Sequence, residues 1–184
     1  MAEAIPRVES LRNLSRKDRS MIAEDTLEKI NLGHYSPSEN CYVNLTEDVT
    51  YSVNNSLLYS ENDLRNVQRV SDEQSETNLR IEFRCCTTLQ GAQLLVNEIG
   101  EEHLGILNFA SAKNPGGGFR NGAQAQEESI CRISSLYLSL TQNRFLDEFY
   151  DYHRRSRTGL YSPRIIYSPR VIIFKVKINQ FDSH

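Results

Sequence analysis

The sequence predicts an α/β chain, with helices packed on both faces of a mixed sheet in a three-layer sandwich. Stretches with helical apolar spacing alternate along it with short runs in which every second residue is apolar. A triple glycine, Gly116–Gly118, separates one apolar run from the helical stretch that follows it. The 184 residues, 39% of them apolar, suffice for one domain around a single core, burying about 70% of the unfolded chain's surface. The expected organisation is one domain over 1–184, with a helical lead at 1–35 and a core over about 40–176.

The first helix is expected from about Ser10 to Leu32. Ile22, Leu27 and Ile30 recur near helical spacing, and Gly33 suits the left-handed position after a helix. Tyr42–Leu45 reads as a short strand. The polar stretch Ser60–Asn78 has no glycine or proline and reads as a long surface loop or frayed helix. Leu79, Ile81, Phe83 and Cys85 alternate with polar residues and mark a strand. Thr87 and Gln90 then have capping-box spacing for a helix through Ile99, with Gly91 weakening its interior. His103–Ala110, with Ile106, Leu107 and Phe109, suits a buried strand. A helix from about Gln126 to Leu140 follows the glycines, then a helical segment over Phe145–Tyr152 and a strand over Val171–Lys175. The tandem YSPRII–YSPRVII is too short for a structural repeat; Pro163 and Pro169 punctuate a turn into the last strand.

The chemistry concentrates between Asn114 and Glu128, where Asn-Pro-Gly-Gly-Gly is followed, after seven intervening residues, by Gln-Glu-Glu. Three glycines let backbone approach a ligand where a Cβ would collide, and they admit positive φ. Pro115 stiffens the start of the loop and Asn114 supplies an amide ahead of it. Glu127 and Glu128 bring two carboxylates to whatever the glycines cradle. Taken singly, each part is ordinary, since a glycine triplet makes a mobile turn and glutamates in a first helical turn complement the helix dipole. Together they describe a nucleotide-type site with an acid in it. No Gly-Lys-Ser/Thr follows, which excludes a P-loop, and the spacing differs from Gly-x-Gly-x-x-Gly of a dinucleotide fold.

Net charge is −3, so no general basic field exists for DNA or RNA, and direct binding of either is not expected. The local basic run Arg154, Arg155, Arg157, Arg164 and Arg170 reads first as a solvated face. The N-terminus has no apolar stretch of the kind a leader needs, and no run approaches a membrane span. An intracellular, soluble protein, cytoplasmic or nuclear, is expected. Cys41, Cys85, Cys86 and Cys131 fit neither a disulfide framework nor a zinc pattern, and the adjacent pair reads as small core hydrophobes. The four histidines lack ligand spacing, so no metal site is expected.

The stretch LNFASAKNPGGGFRNGAQAQEESICRISSLY resembles the signature of poly(ADP-ribose) glycohydrolases, a triple glycine followed six to eight residues later by Gln-Glu-Glu, and is most similar to the bacterial or microbial type. AEDTLEKINLGHY, FRCCTTLQGAQLLV and LYSPRIIYSPRVIIF occur in the same order as in such proteins, so the resemblance covers roughly residues 7 to 175. It implies a compact macrodomain fold, ADP-ribose or poly(ADP-ribose) on modified proteins as ligand, and no cofactor. It also implies that Glu128 is the general acid and then base, while Glu127 and Gln126 hold the ribose. Asn114 would contact the distal ribose, with the Gly116, Gly117 and Gly118 amides lining the pocket. Adjacent residues cannot flank one bond from two sides, so division of labour fits better than a symmetric pair. Phe119 reads as a packing residue before a stacking one.

The pattern departs from the family near the end. Such hydrolases resemble one another in a second glycine-rich loop that holds the diphosphate, whereas here the last glycine is Gly159 and the final 25 residues have none. A macrodomain lacking its C-terminal strands is therefore expected. Three functions stay open: a glycohydrolase, a non-hydrolytic ADP-ribose-binding module, and an inactive or partner-completed fragment.

Overall fold

The computed structural model describes residues 14–38, 40–66, 80–100, 104–156 and 159–173. Helix α1 spans Arg16–Leu32. It begins at Arg16, not Ser10, because Ser15 is extended and caps it. The Ser15 hydroxyl accepts from the Asp18 N–H and the Asp18 carboxylate accepts from the Ser15 N–H. Residues 10–13 lie outside the described residues. The helix ends as expected at Gly33, whose φ of 74° is left-handed. Its buried side chains Ile22, Ala23, Thr26 and Ile30 form one stripe.

Strands β1, His34–Ser38, and β2, Cys41–Asn44, pair antiparallel. Only β2 was legible in the sequence. Helix α2 follows over Thr46–Asn55, then β3, Leu57–Tyr59. Within the polar stretch a short helix α3, Glu61–Arg65, forms on a second capping box between Ser60 and Asp63; residues 67–79 are not among those described. Helix α4, Thr88–Ile99, has the expected Thr87–Gln90 box.

Two expected strands are not seen among the described residues. Residues 80–85 and 104–110 have no ladder partner there, and Leu79 and His103 lie outside the described residues. Phe83 is 97% exposed and Phe109 75%. A strand needs a neighbour for its backbone groups and a cover for its apolar face, and among the described residues neither segment has either. The described sheets are two antiparallel pairs, β1–β2 and β3 with β4, Ile165–Tyr167. Cys85 and Cys86 share this exposure, so they are not the core residues the sequence suggested.

The expected helix 126–140 is two helices, α5, Gln126–Arg132, and α6, Leu136–Leu140. The C-terminal segment divides them. Ile173 bridges Ser134 antiparallel, and the Ser135 N–H donates to the Ile172 carbonyl at 2.9 Å. Ser135 thereby turns its N–H to the C-terminal segment while its carbonyl accepts from the Leu138 N–H of α6. Among the described residues this bridge is what is seen of the strand expected over Val171–Lys175; 174 and 175 lie outside them. The helical segment near Phe145 exists, as α7, Asn143–Phe145, a wider π turn over Leu146–Asp151, and α8, Tyr152–Arg155.

The main core joins α1, α5 and α6 through Ile22, Phe119, Ile130, Cys131, Leu136 and Leu140. A smaller cluster, Phe145, Phe149 and Tyr150, packs under β3 and β4. No described helix is long and apolar enough to cross a membrane.

Candidate active site

Helix α1 fixes the far end of the glycine loop. Arg16 Nε donates to the Asn121 carbonyl at 2.8 Å, Arg19 Nε to that of Gly122 at 2.7 Å, and the Ser20 hydroxyl to that of Arg120 at 2.5 Å. These carbonyls belong to the 3₁₀ turn Phe119–Asn121 and its left-handed Gly122 cap. Phe119 is buried and its ring packs on Tyr137, centroids 4.9 Å apart, so it is a core residue. Thr26 Oγ1 donates to the Arg132 carbonyl at 2.6 Å and ties α1 to the end of α5.

Within this frame the loop closes on the two carboxylates. Glu127, only 2% exposed, accepts from the Ser111 N–H at 2.6 Å and from the Gly116 N–H at 3.2 Å. Glu128, half-buried, accepts from the Gly118 N–H at 3.2 Å. The Gly117 N–H donates to the Asn114 carbonyl at 3.0 Å. The three glycine amides thus hold the loop and its acids in place. Burial pushes the Glu127 carboxyl above its ordinary range. The Ser111 and Gly116 N–H groups oppose that rise and the charge of Glu128 adds to it. Arg132, one helical turn after Glu128, is 6% exposed, and its guanidinium falls to about 10 through burial and the nearby Arg19, so it keeps its charge at neutral pH.

Each residue singled out in the sequence has a distinct place. Glu127, Glu128, Gly116, Gly117 and Gly118 converge, whereas Asn114 is exposed at the loop's outer shoulder. Gln126, half-buried, is committed to bonds with other parts of the chain. Its Oε1 accepts from the Phe109 N–H at 2.7 Å, and its Nε2 donates to the Leu107 carbonyl and to Thr88 Oγ1, each at 3.0 Å. The side-chain amide bonds residues i and i+2 of an extended segment as a neighbouring strand would. Sequence reasoning missed Ser111 and the α1 arginines, since each acts through a long-range contact with no local spacing rule. Among the described residues no cluster of His, Cys, Asp and Glu is placed to hold a metal. A groove of about 540 Å³ beside Tyr152, Arg155 and Arg164 does not include Glu127 or Glu128 in its lining. The site is recognised by its chemistry and not by its depth.

Residues 23–176 match the family described as the catalytic domain of microbial-type poly(ADP-ribose) glycohydrolase. The fold is similar to the crystal structure of poly(ADP-ribose) glycohydrolase from Thermomonospora curvata, with 38% identity, a TM-score of 0.75, and coverage of 86% of this chain and 57% of that one. Its complex with the inhibitor ADP-HPD gives 39%, 0.73, 86% and 55%. The Deinococcus radiodurans enzyme in complex with ADP-ribose gives 35%, 0.59, 68% and 48%. This chain spans about half the length of these solved relatives. A comparison with curated proteins finds no significant match. The α/β fold is therefore macrodomain-like, as the resemblance implied. The chain belongs to the family of microbial-type poly(ADP-ribose) glycohydrolase catalytic domains.

Proposed function

We propose that the Glu127–Glu128 site acts on ADP-ribose polymers, hydrolysing the ribose–ribose O-glycosidic bond and releasing ADP-ribose. The unequal burial of the two acids carries this assignment. Glu128 is the reachable carboxylate, so it delivers the proton to the departing ribose oxygen as the anomeric carbon gains oxocarbenium character. It then takes a proton from the attacking water. Glu127 is locked by two backbone donors and orients the sugar hydroxyls at a fixed height beside Glu128. Asn114, at the exposed shoulder, meets the distal ribose. Gln126 assists the sugar at one remove, by holding residues 107–109. The glycine backbone lines the floor, where any Cβ would collide with its neighbours.

The test is release of free ADP-ribose from a polymer-modified protein, followed by chromatography. Glu128→Gln keeps the shape but cannot cycle a proton, and should lose about 10²–10⁴-fold in rate with ADP-ribose binding retained. Wild-type turnover in that variant would remove Glu128 from the mechanism. Binding without turnover in the wild-type chain would favour the non-hydrolytic module.

A further inference from the structure

Two side chains of α5 grip the glycine loop at opposite ends of a short chain of hydrogen bonds. Glu128 Oε1 accepts from the Gly118 N–H at 3.2 Å. The Gly118 carbonyl accepts from the Ala123 N–H at 3.1 Å, and the Ala123 carbonyl accepts from the Arg132 guanidinium. Gly118 and Ala123 are packed as well as bonded, for a Cβ on Gly118 would stand 2.9 Å from that of Ala123. Glu128 and Arg132 are four residues apart on α5 and share a face of it. The bonds therefore close a ring of acid, Gly118, Ala123, arginine and the helical turn that joins the two charges. Among the described residues Glu128 and Arg132 form no ion pair with each other. Each is given to the loop instead.

We propose that Arg132 is a positioning residue for Glu128: by holding the Ala123 carbonyl it keeps the Gly118 N–H aimed at Glu128 Oε1. With Oε1 held, Oε2 is the oxygen left to exchange a proton with substrate and water. The state of the arginine supplies a second, independent observation. Arg132 is 6% exposed, and its Nε is buried without a hydrogen-bond partner among the described residues. A buried cation with an unmet donor costs free energy, and an apolar side chain of like volume is often no less stable in such a place. Stability alone therefore does not account for an arginine here, whereas its grip on the loop does. Ser20, Arg16 and Arg19 of α1 hold the carbonyls of 120–122. Arg132 extends that series to 123 from the helix that carries the acid. The effect on turnover rests on the hydrolysis proposed above, whereas the ring itself does not require it.

Amide hydrogen exchange read by NMR, beside release of ADP-ribose from a polymer-modified protein, tests the ring. Arg132→Met should quicken exchange at Gly118 about fivefold. Gly122, whose clamp comes from α1, should keep its protection, and the denaturant midpoint should move little. The kcat for ADP-ribose release should fall on the order of tenfold with KM nearly unchanged, since the acid and not the pocket is displaced. Arg132→Lys, which keeps the charge and a donor, should restore most of the protection at Gly118. A merely structural Arg132 would lower the midpoint and quicken Gly118 and Gly122 together. That result overturns the proposal, as does unchanged Gly118 exchange, or an Arg132→Lys protein no better protected than Arg132→Met. If Arg132→Met does not fold, Gly118→Ala breaks the ring from the loop. Its φ of −104° suits alanine, but the new methyl would press on Ala123. Exchange at the amide of 118 should then quicken, and an unchanged rate there overturns the proposal. Failure of the wild-type chain to release ADP-ribose would sink the proposed function and leave the exchange at Gly118 to decide this one.

Discussion

Gly117 and Glu128 share a space that a single Cβ would fill: an alanine methyl at 117 would stand 2.2 Å from Glu128 Oε1 and 2.8 Å from its Cδ. The loop also bends there through a φ of 56°. The second glycine is thus required by the acid that it faces.

Gly117→Ala should fold, because the obstacle is a side chain that can swing away. The left-handed backbone costs about 1–2 kcal/mol in an L-residue, readable in urea denaturation. The displaced Glu128 should cost more in function than in stability. Wild-type ADP-ribose release by a folded Gly117→Ala protein would separate the loop from the acid.

Gly122→Ala should be more damaging. Its Cβ would lie 2.0 Å from the Arg16 carbonyl oxygen, a backbone atom of α1, and its φ is 71°. Since α1 cannot yield locally, about 2–4 kcal/mol should be lost, from left-handed strain and overpacking together. Stability within the error of wild type would mean that α1 does not clamp the turn.

Glu127 gives stability an unusual pH dependence. Its carboxyl is raised by burial, so the folded chain holds that proton more tightly than the unfolded one. The associated stability is full below the unfolded value and is lost as pH rises through the folded one. Glu127→Gln, which stays neutral, should therefore gain on wild type as pH climbs from the ordinary glutamate range to neutrality. Asp18, Asp63 and Glu98, lowered by their hydrogen bonds, act in the opposite sense on acidification, but cancel in the difference. A constant difference across that range would show that burial does not raise Glu127.

Thiol chemistry separates the cysteines. Cys41, Cys85 and Cys86 are exposed, whereas burial pushes the Cys131 thiol well up. A disulfide reagent should label the first three in the folded chain and Cys131 only on unfolding. Rapid native labelling of Cys131 would contradict its place in the core.

What the sequence revealed was local. Gly33 and the Thr87–Gln90 pair act within one turn of their own helix, and capping and turn chemistry can be read from spacing. Though its Ser15 cap was missed, α1 ended where Gly33 said it would. The Gly116–Glu128 spacing foretold, for the same reason, that the glycines and the two acids would meet. Elements that depend on distant partners were not legible. The division of α5 from α6 comes from Ile172 and Ile173, some forty residues on. The alternating pattern at 79–85 and the apolar run at 103–110 promised strands, yet their described residues lack neighbours that would make them so. Gln126 was read as a sugar contact from its motif, whereas its three bonds run to Thr88, Leu107 and Phe109.

Hydrogen exchange at the Gly116, Gly117 and Gly118 amides, with and without ADP-ribose, tests most directly whether the glycine loop and its two acids form one ADP-ribose site. Added ligand should slow exchange at all three, and Glu127→Ala, which frees the Gly116 N–H, should weaken the response. Unchanged exchange at saturating millimolar ADP-ribose would contradict the account.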